Sequence, residues 1–503
     1  MSLSKEVYQA LESIVGPENI SDDPAICEAD TKGGFGEFML DRGAMRPAAV
    51  LLPGSTEEVQ QIVKVANRYK LPFVPFGTFY IAYCAPNRPN TIMLDLKRMT
   101  RLEIDERNLY ALCESGVCIS QLQAEAMKRG LYTVAPGCGS QASVVANTAV
   151  HGQGPLGYRL GFAYRRMLGT EWVLPDGEIL RLGSAAALRD YFWGEGPGTD
   201  LRGLLRGIIG HQGGLGVVTK MAVKLYPFIP EKLEPSGISP HTTLNLPPNR
   251  MKWYNITYPS PDTAINGMYE IAKHEIGAMI MSVPPIFRYV ARARGKGANA
   301  FWEAWPKAGE TLDRNEMIVR VLLVGFTSEK QLAYEEKVLQ DIATETGGVA
   351  REGRPTDESW IMSADAISIY FVAGAEASTE ISLDSLDQAL KVGRATAELK
   401  KKYTPPLGED YGYPGWFQVY DLGHLGYLEF LAYADTEDTA QLEQLGADCI
   451  EHDLAVGGYP AYQEPSILGP EWFNYHELLE RVKDLFDPNG ISNPPKPLKF
   501  GQV

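Results

Sequence analysis

Two short runs of small residues are the places where this sequence could do chemistry through its backbone. Pro75-Phe76-Gly77-Thr78 follows a strand-like stretch, and Pro136-Gly137-Cys138-Gly139-Ser140-Gln141-Ala142-Ser143 is a second loop of the same kind. A pyrophosphate must be met by backbone N–H groups, and small residues let a chain approach closely enough to supply them. Either run taken alone is better read as a tight turn. Ser143 is also placed to cap a helix running through Asn147. The common alternatives are missing. No Gly-x-Gly-x-x-Gly lies between a strand-like run and a helix, which argues against a nicotinamide cofactor on a Rossmann domain. No Gly-x-Ser-x-Gly marks a hydrolase. The seven histidines scatter without a metal-like pair on one helix face, and His211-Gln212 reads as structural. The six cysteines form no C-x-x-C pair, so neither a zinc site nor a disulfide framework is indicated.

A wider set of segments carries a resemblance. Arg46-Pro47, Pro75-Phe76-Gly77-Thr78, Ile92-Met93-Leu94-Asp95-Leu96 and Glu114-Ser115-Gly116-Val117 occur in that order. Ala146-Asn147-Thr148-Ala149, Val173-Leu174-Pro175-Asp176-Gly177-Glu178 and Gly213-Gly214-Leu215-Gly216-Val217-Val218-Thr219-Lys220 follow. With the tail Phe486-Asp487-Pro488-Asn489-Gly490-Ile491-Ser492-Asn493-Pro494, they resemble the vanillyl-alcohol oxidase superfamily, whose members carry a PCMH-type FAD-binding domain. Tyr83-Cys84-Ala85-Pro86 and Trp193-Gly194-Glu195-Gly196-Pro197 are similar to segments of its 4-phenol oxidising group.

The resemblance implies an α+β chain with a two-part FAD-binding domain and an inserted α/β cap domain over the substrate. The expected divisions are 1–228 for the first part, 229–445 for the cap and 446–503 for a segment returning to the FAD domain. FAD contacts are expected from Pro75, Phe76, Gly77, Thr78, Phe79 and Tyr80, and from Pro136, Gly137, Gly139, Ser140 and Ser143. Asn147, Thr148, Gly216 and Val218 complete that set. The loop departs from the family pattern, because Phe79-Tyr80-Ile81-Ala82-Tyr83 is bulky where members carry further glycines.

In the phenol-oxidising group two tyrosines and an arginine hold the substrate as phenolate, while flavin N5 accepts hydride from the para side chain and a quinone methide forms. Positive charge and hydrogen bonds lower that barrier by stabilising the anion. By loop position Tyr83 resembles one tyrosine and Tyr462 the other, and Gln463 stands where the arginine would be. Glutamine donates a hydrogen bond but no charge, so a phenol beside it ionises less readily. Each tyrosine could equally be a packing residue. Aligning the run from Leu425 places Tyr420 and Tyr427 near positions that carry covalent FAD in some members, with His424 between them and His151 a further nucleophile. Noncovalent FAD is the simpler expectation, since no histidine falls squarely on a family site.

These residues need elements to hold them. Ala48 to Leu52 reads as a strand, and Ser55 with Glu58 as a capping box opening a helix whose Val59, Ile62, Val63 and Ala66 share one face. Strands are expected at 71–74, 92–96 and 109–114, then a helix with Ile119, Leu122 and Met127 inward, ending at Gly130. Residues 171–182 form a hairpin about Pro-Asp-Gly. The proline-rich stretch 226–261 reads as a linker. Strands at 317–324 and 425–433, and helices at 329–342 and near 478–485, follow.

At 503 residues the chain should divide into domains. A formal net charge of −16 excludes ordinary nucleic-acid binding, which needs clustered Lys and Arg. No apolar stretch is long enough for a membrane span, and no secretory signal is visible, so a cytoplasmic location is expected. The expected partners are a small aromatic or hydroxylated substrate and oxygen or a cytochrome-type acceptor; a homodimer is admitted. Two rival functions stand beside phenol oxidation: a 2-hydroxy-acid dehydrogenase of the same fold, and a flavin-fold protein that only binds a ligand.

Overall fold

A computed structural model describes residues 3–32, 45–78, 86–134, 139, 141–149, 152–187, 192–206, 213–234, 247–293, 295–313, 315–353, 372–458 and 475–494. The first sheet contains β1 (Ile20–Ser21), β2 (Ala49–Leu51), β3 (Phe73–Phe76) and β4 (Ile92–Asp95), in the order β1-β2-β4-β3. Strands β2 and β3 both run parallel to β4, so each must be reached by a crossover. The helix Thr56–Tyr69 provides one. Its Val59, Ile62, Val63 and Ala66 are fully buried against this sheet and the helix Lys5–Val15, as their spacing requires. The cap differs slightly from expectation. Ser55 accepts from the Glu58 N–H, but the Glu58 carboxylate reaches back to the Gly54 N–H, one residue earlier than a capping box has it.

The second sheet is antiparallel throughout: β5 (Leu102–Asp105), β6 (Tyr110–Glu114), β8 (Met167–Val173), β9 (Ile179–Leu182) and β10 (Val217–Lys224), ordered β5-β6-β10-β8-β9. A small ribbon pairs β7 (Leu131–Tyr132) with β11 (Tyr226–Pro227). Thr56 joins the two sheets, donating to buried Glu171 on β8 at 2.8 Å, while Lys220 and Arg181 close on the same carboxylate.

The third sheet has seven antiparallel strands: β12 (Met251–Tyr258), β13 (Met279–Ser282), β14 (Met317–Val324), β15 (Val349–Glu352), β16 (Ala375–Asp384), β17 (Trp416–Tyr420) and β18 (Leu425–Ala434). Their order is β15-β12-β14-β13-β17-β18-β16. Strand β12 corrects the linker reading of 226–261: it lies inside the sheet, paired with β14 along all eight residues. The helices Pro261–Lys273, Glu329–Glu345 and Leu386–Lys400 cover one face, burying Ile271, Leu339, Leu390, Phe417, Val419 and Leu428 among others. The opposite face carries Met281, Trp416, Leu431 and Tyr433, which pack with Leu156 and Leu160 of the first half and with the helices Pro285–Ala293 and Ala298–Gly309. Among the described residues no helix is long and apolar enough to cross a membrane.

Candidate functional site

Gly77 leaves β3 where three segments meet. A Cβ at this position would stand 2.7 Å from Ser143 Cβ and 3.0 Å from the Ser115 carbonyl oxygen, so only glycine allows the approach. Ser143 Oγ donates to that carbonyl at 2.6 Å and accepts from the Ala146 N–H, capping the helix Val144–Ala149. Ser115 Oγ donates in turn to the Val218 carbonyl at 2.5 Å. Gly77, Ser143, Asn147 and Val218 are therefore neighbours, although they come from three separate parts of the sequence. Among the described residues, Asn147 Oδ1 is buried without a hydrogen-bond partner. A glycine-only contact and an orphaned polar atom suit a dinucleotide better than a filled core does.

Other expected contacts serve the frame. Pro75 packs on Gly213, whose Cβ would fall 2.7 Å from Pro75 Cδ. Gly216 adopts φ +101 beside the Val173 carbonyl, and its N–H is taken by Ser492 Oγ at 2.8 Å. Thr148 Oγ1 is turned inward to Arg166. Gly139 is buried and its carbonyl accepts from the Ala142 N–H, while Phe76 is buried and Thr78 half-buried at the strand end. Trp193 is half exposed. Phe79, Tyr80, Pro136, Gly137, Ser140 and His151 lie outside the described residues, as do Tyr83, Tyr462 and Gln463. Gly152, Gly154 and Gly157 have Rossmann spacing, but a helix rather than a strand precedes them.

On the third sheet, β17 and β18 turn a polar row toward the first half. Gln418 Nε2 donates to the Gly154 and Pro155 carbonyls at 2.9 and 3.1 Å. Gln153 Nε2 donates to the Tyr427 hydroxyl at 2.6 Å, and that hydroxyl donates to Glu429 Oε2 at 2.9 Å. Ser378 Oγ donates to the other oxygen of Glu429. Tyr420 stacks on Phe162 with ring centroids 4.5 Å apart and meets Tyr427 edge-on. His424, between the two tyrosines in sequence, is exposed. Burial pushes the Glu429 carboxyl up, against the Ser378 and Tyr427 hydrogen bonds. Glu376, opposite Tyr433 in register, is raised well above the ordinary carboxyl range by burial first and by Glu429 second. One Glu376 oxygen and the Tyr433 hydroxyl are buried without partners among the described residues. The wall thus combines aromatic rings with two acids whose charged form burial disfavours.

Glu376, Glu429, Gln153, Gln418 and Ser115 were not singled out from the sequence. Glu429 did leave a signal, as the lone charge in Leu425-Gly426-Tyr427-Leu428-Glu429-Phe430-Leu431. Glu376 left none, because it stands among the small residues Gly374, Ala375, Ala377 and Ser378 rather than in an apolar run. Among the described residues no cluster of His, Cys, Asp and Glu could hold a metal.

Comparison with known proteins agrees with this geometry. A family model described as an FAD binding domain matches residues 47–183. A D-lactate dehydrogenase of Archaeoglobus fulgidus is 24% identical over 472 residues, covering 89% of this chain and 90% of the relative. The 4-cresol dehydrogenase [hydroxylating] flavoprotein subunit of Pseudomonas putida is 29% identical over 223 residues, 41% of each chain. A second D-lactate dehydrogenase, from Anaerostipes hadrus, matches over 90% of its length at 25% identity, whereas some other relatives match over less than half of theirs. Among solved structures, p-cresol methylhydroxylase with substrate bound superposes with a TM-score of 0.74 at 18% identity, covering 97% of this chain and 95% of the other.

Proposed function

From an FAD-binding domain at residues 47–183 inside the fold of the PCMH/VAO flavoprotein superfamily, we infer that this FAD-dependent oxidoreductase takes hydride from a para-substituted phenol or aromatic alcohol. The observation that carries the reading is the wall of the third sheet. Trp416, Tyr427 and Tyr433 supply ring surface, and Glu376 and Glu429 supply carboxyls whose burial favours the neutral form. A neutral, ring-bearing molecule suits that wall.

Gly77, Ser143 and Asn147 hold the dinucleotide in this reading, and the flavin supplies the hydride acceptor. Tyr83 and Tyr462 hydrogen-bond the phenol oxygen, with Gln463 as a neutral third donor. Glu429, whose pKa burial raises and which accepts from the Tyr427 hydroxyl, is the acid of this wall and the candidate to exchange a proton during turnover. FAD is held without a covalent bond, since the Tyr427 hydroxyl is committed to Glu429 and Tyr420 is pinned against Gly157. Domain limits near 228 and 445, a soluble cytoplasmic setting and a cytochrome or oxygen acceptor belong to the same proposal.

A second reading, a 2-hydroxy-acid dehydrogenase, has its own support in the D-lactate dehydrogenase match over nine-tenths of both chains. The pKa of half-buried Arg288 is lowered by burial first and then, against Tyr413, by the neighbouring cations Arg292 and Arg320. Arg320 aligns with Tyr427 along Met281 and Gln418, three strand spacings or about 14 Å away. A carboxylate would bind at that cationic end. Anaerobic mixing with para-alkyl phenols and with D-2-hydroxy acids separates the readings: phenols should bleach the flavin, and Tyr83→Phe or Tyr462→Phe should slow bleaching about tenfold to a hundredfold. Bleaching by D-lactate alone would replace the first reading with the second. Acid precipitation should release the FAD.

A further inference from the structure

Gln153 is tied down between the first half and the third sheet. Its Nε2 donates to the Tyr427 hydroxyl at 2.6 Å, and the carbonyls of the next two residues, Gly154 and Pro155, accept from Gln418 on β17. The residue before it, Gly152, packs on the helix Val144–Ala149. A Cβ there would stand 2.2 Å from Asn147 Oδ1 and 2.5 Å from the Asn147 carbonyl oxygen. The Gly152 carbonyl accepts from the Ala163 N–H at 3.0 Å. Backbone and side chain are both fixed.

One atom of this arrangement is left over. Tyr427 has a single hydroxyl proton and gives it to Glu429, which also accepts from Ser378. The Tyr427 oxygen can then only accept from Gln153, which sets the amide with Nε2 toward the wall and Oε1 away from it. Among the described residues, Gln153 Oε1 is buried and has no hydrogen-bond partner. A buried carbonyl without a donor bears the full cost of its lost water, so such an atom marks a place that a ligand completes. The bonds from Gln153 to Tyr427 and from Tyr427 to Glu429 run in one direction, which polarises the amide and strengthens Oε1 as an acceptor.

The position of the atom says what the donor is. On one side stands Asn147, of the Gly77–Ser143–Asn147 neighbourhood suited to the dinucleotide, and on the other the wall that carries Tyr427 and Glu429. An oxidised isoalloxazine offers one ring N–H, at N3, and otherwise acceptors. We propose that Gln153 Oε1 accepts from the flavin N3–H, so that Gln153 fixes the flavin ring against the third sheet through Tyr427. The proposal rests on FAD as cofactor and needs neither substrate reading.

The test measures the Kd of FAD and of its 3-methyl analogue, which has no N3–H, on flavin-free protein produced in riboflavin-starved cells. The methyl leaves the adenine and ribityl donors untouched, so the comparison reads the flavin edge alone. Wild type should bind FAD about tenfold more tightly than the analogue. Gln153→Met keeps the reach of the side chain and removes the carbonyl. It should raise the FAD Kd by about tenfold and bind the two dinucleotides alike. A wild type that does not discriminate, or a variant that discriminates as wild type does, overturns the proposal; a substrate hydroxyl would then be the donor to Oε1. A purely structural glutamine would lower the melting temperature and shift both Kd values together, and the unchanged ratio is again the overturning result. If Gln153→Met does not fold, Gln153→Asn, which withdraws the carbonyl by one methylene, is read in the same way. A wild type that binds neither dinucleotide overturns the cofactor assignment and the proposal with it.

Discussion

Glu376, half-buried as a residue, faces Tyr433 across neighbouring strands, and the burial of its carboxyl and the nearby Glu429 both disfavour its charge. Its pKa is raised far above the usual 4.5, so the native chain keeps a proton that the unfolded chain gives up as pH rises past that value. Where the native state binds more protons than the unfolded state, stability falls with rising pH. Glu376→Gln copies the protonated form and removes the dependence. Wild type and variant should therefore melt alike near pH 5, and the variant should become the more stable as pH rises, by up to about 1.4 kcal/mol per pH unit crossed. Thermal melts across pH 5–8 measure this directly. Parallel curves would mean that Glu376 is ionised in the native protein and compensated by groups outside the described residues.

At the scale of elements, the last helix and its turn are tied into the first half near Gly213–Gly216 and β3. Lys483, on the helix Tyr475–Phe486, donates to the Gly214 carbonyl at 2.5 Å, to Asp487 at 2.6 Å and to the Ser492 carbonyl at 2.6 Å. Asn493 N–H then bonds Phe73 on β3, so the tail and the Gly213–Gly216 segment are locked to the strand that leads to Gly77. Lys483→Met leaves Asp487 buried without its cation and should cost about 3 kcal/mol in denaturant unfolding. Adding Asp487→Asn should restore part of that loss. If the double variant is no better than the single, the cost lies in the carbonyl contacts rather than in the charge pair. The Phe-Asp-Pro-Asn-Gly composition made this turn legible in the sequence. The same is true of Gly77 and Ser143, whose small size is the reason they touch. Strand β12 was not legible, because Trp253 and Tyr254 are both buried on opposite faces and break the alternation that marks a half-buried strand. The Glu376–Tyr433 pairing was hidden for another reason: it depends on register between distant strands, which no local pattern contains.

The whole molecule hinges on how the third sheet is set against the first half, and residues 152–166 carry much of that joint. Gln153 reaches Tyr427, the Gly154 and Pro155 carbonyls accept from Gln418, Phe162 stacks on Tyr420, and Arg165 pairs with Asp421. Gly157 is the tightest point. A Cβ there would lie 2.1 Å from Tyr420 Cε1, and that ring is 1% exposed and held from its other side by Phe162. Gly157→Ala must therefore push the two halves apart, an overpacking cost of about 1–3 kcal/mol. The Gly77–Ser143–Asn147 neighbourhood lies wholly in the first half, so FAD content should stay near that of wild type. What changes is the distance between the flavin side and the wall that carries Tyr427 and Glu429, and catalysis by positioning is sensitive to displacements of that size. Anaerobic flavin reduction should slow by about a hundredfold for a shift near 1 Å, while the FAD-to-protein ratio holds. Shortening the ring with Tyr420→Leu in the same chain should recover part of the rate by making room for the new methyl. A variant that loses FAD and rate together would show that the joint supports the dinucleotide site itself, and that the two halves are not separable in the way these contacts imply.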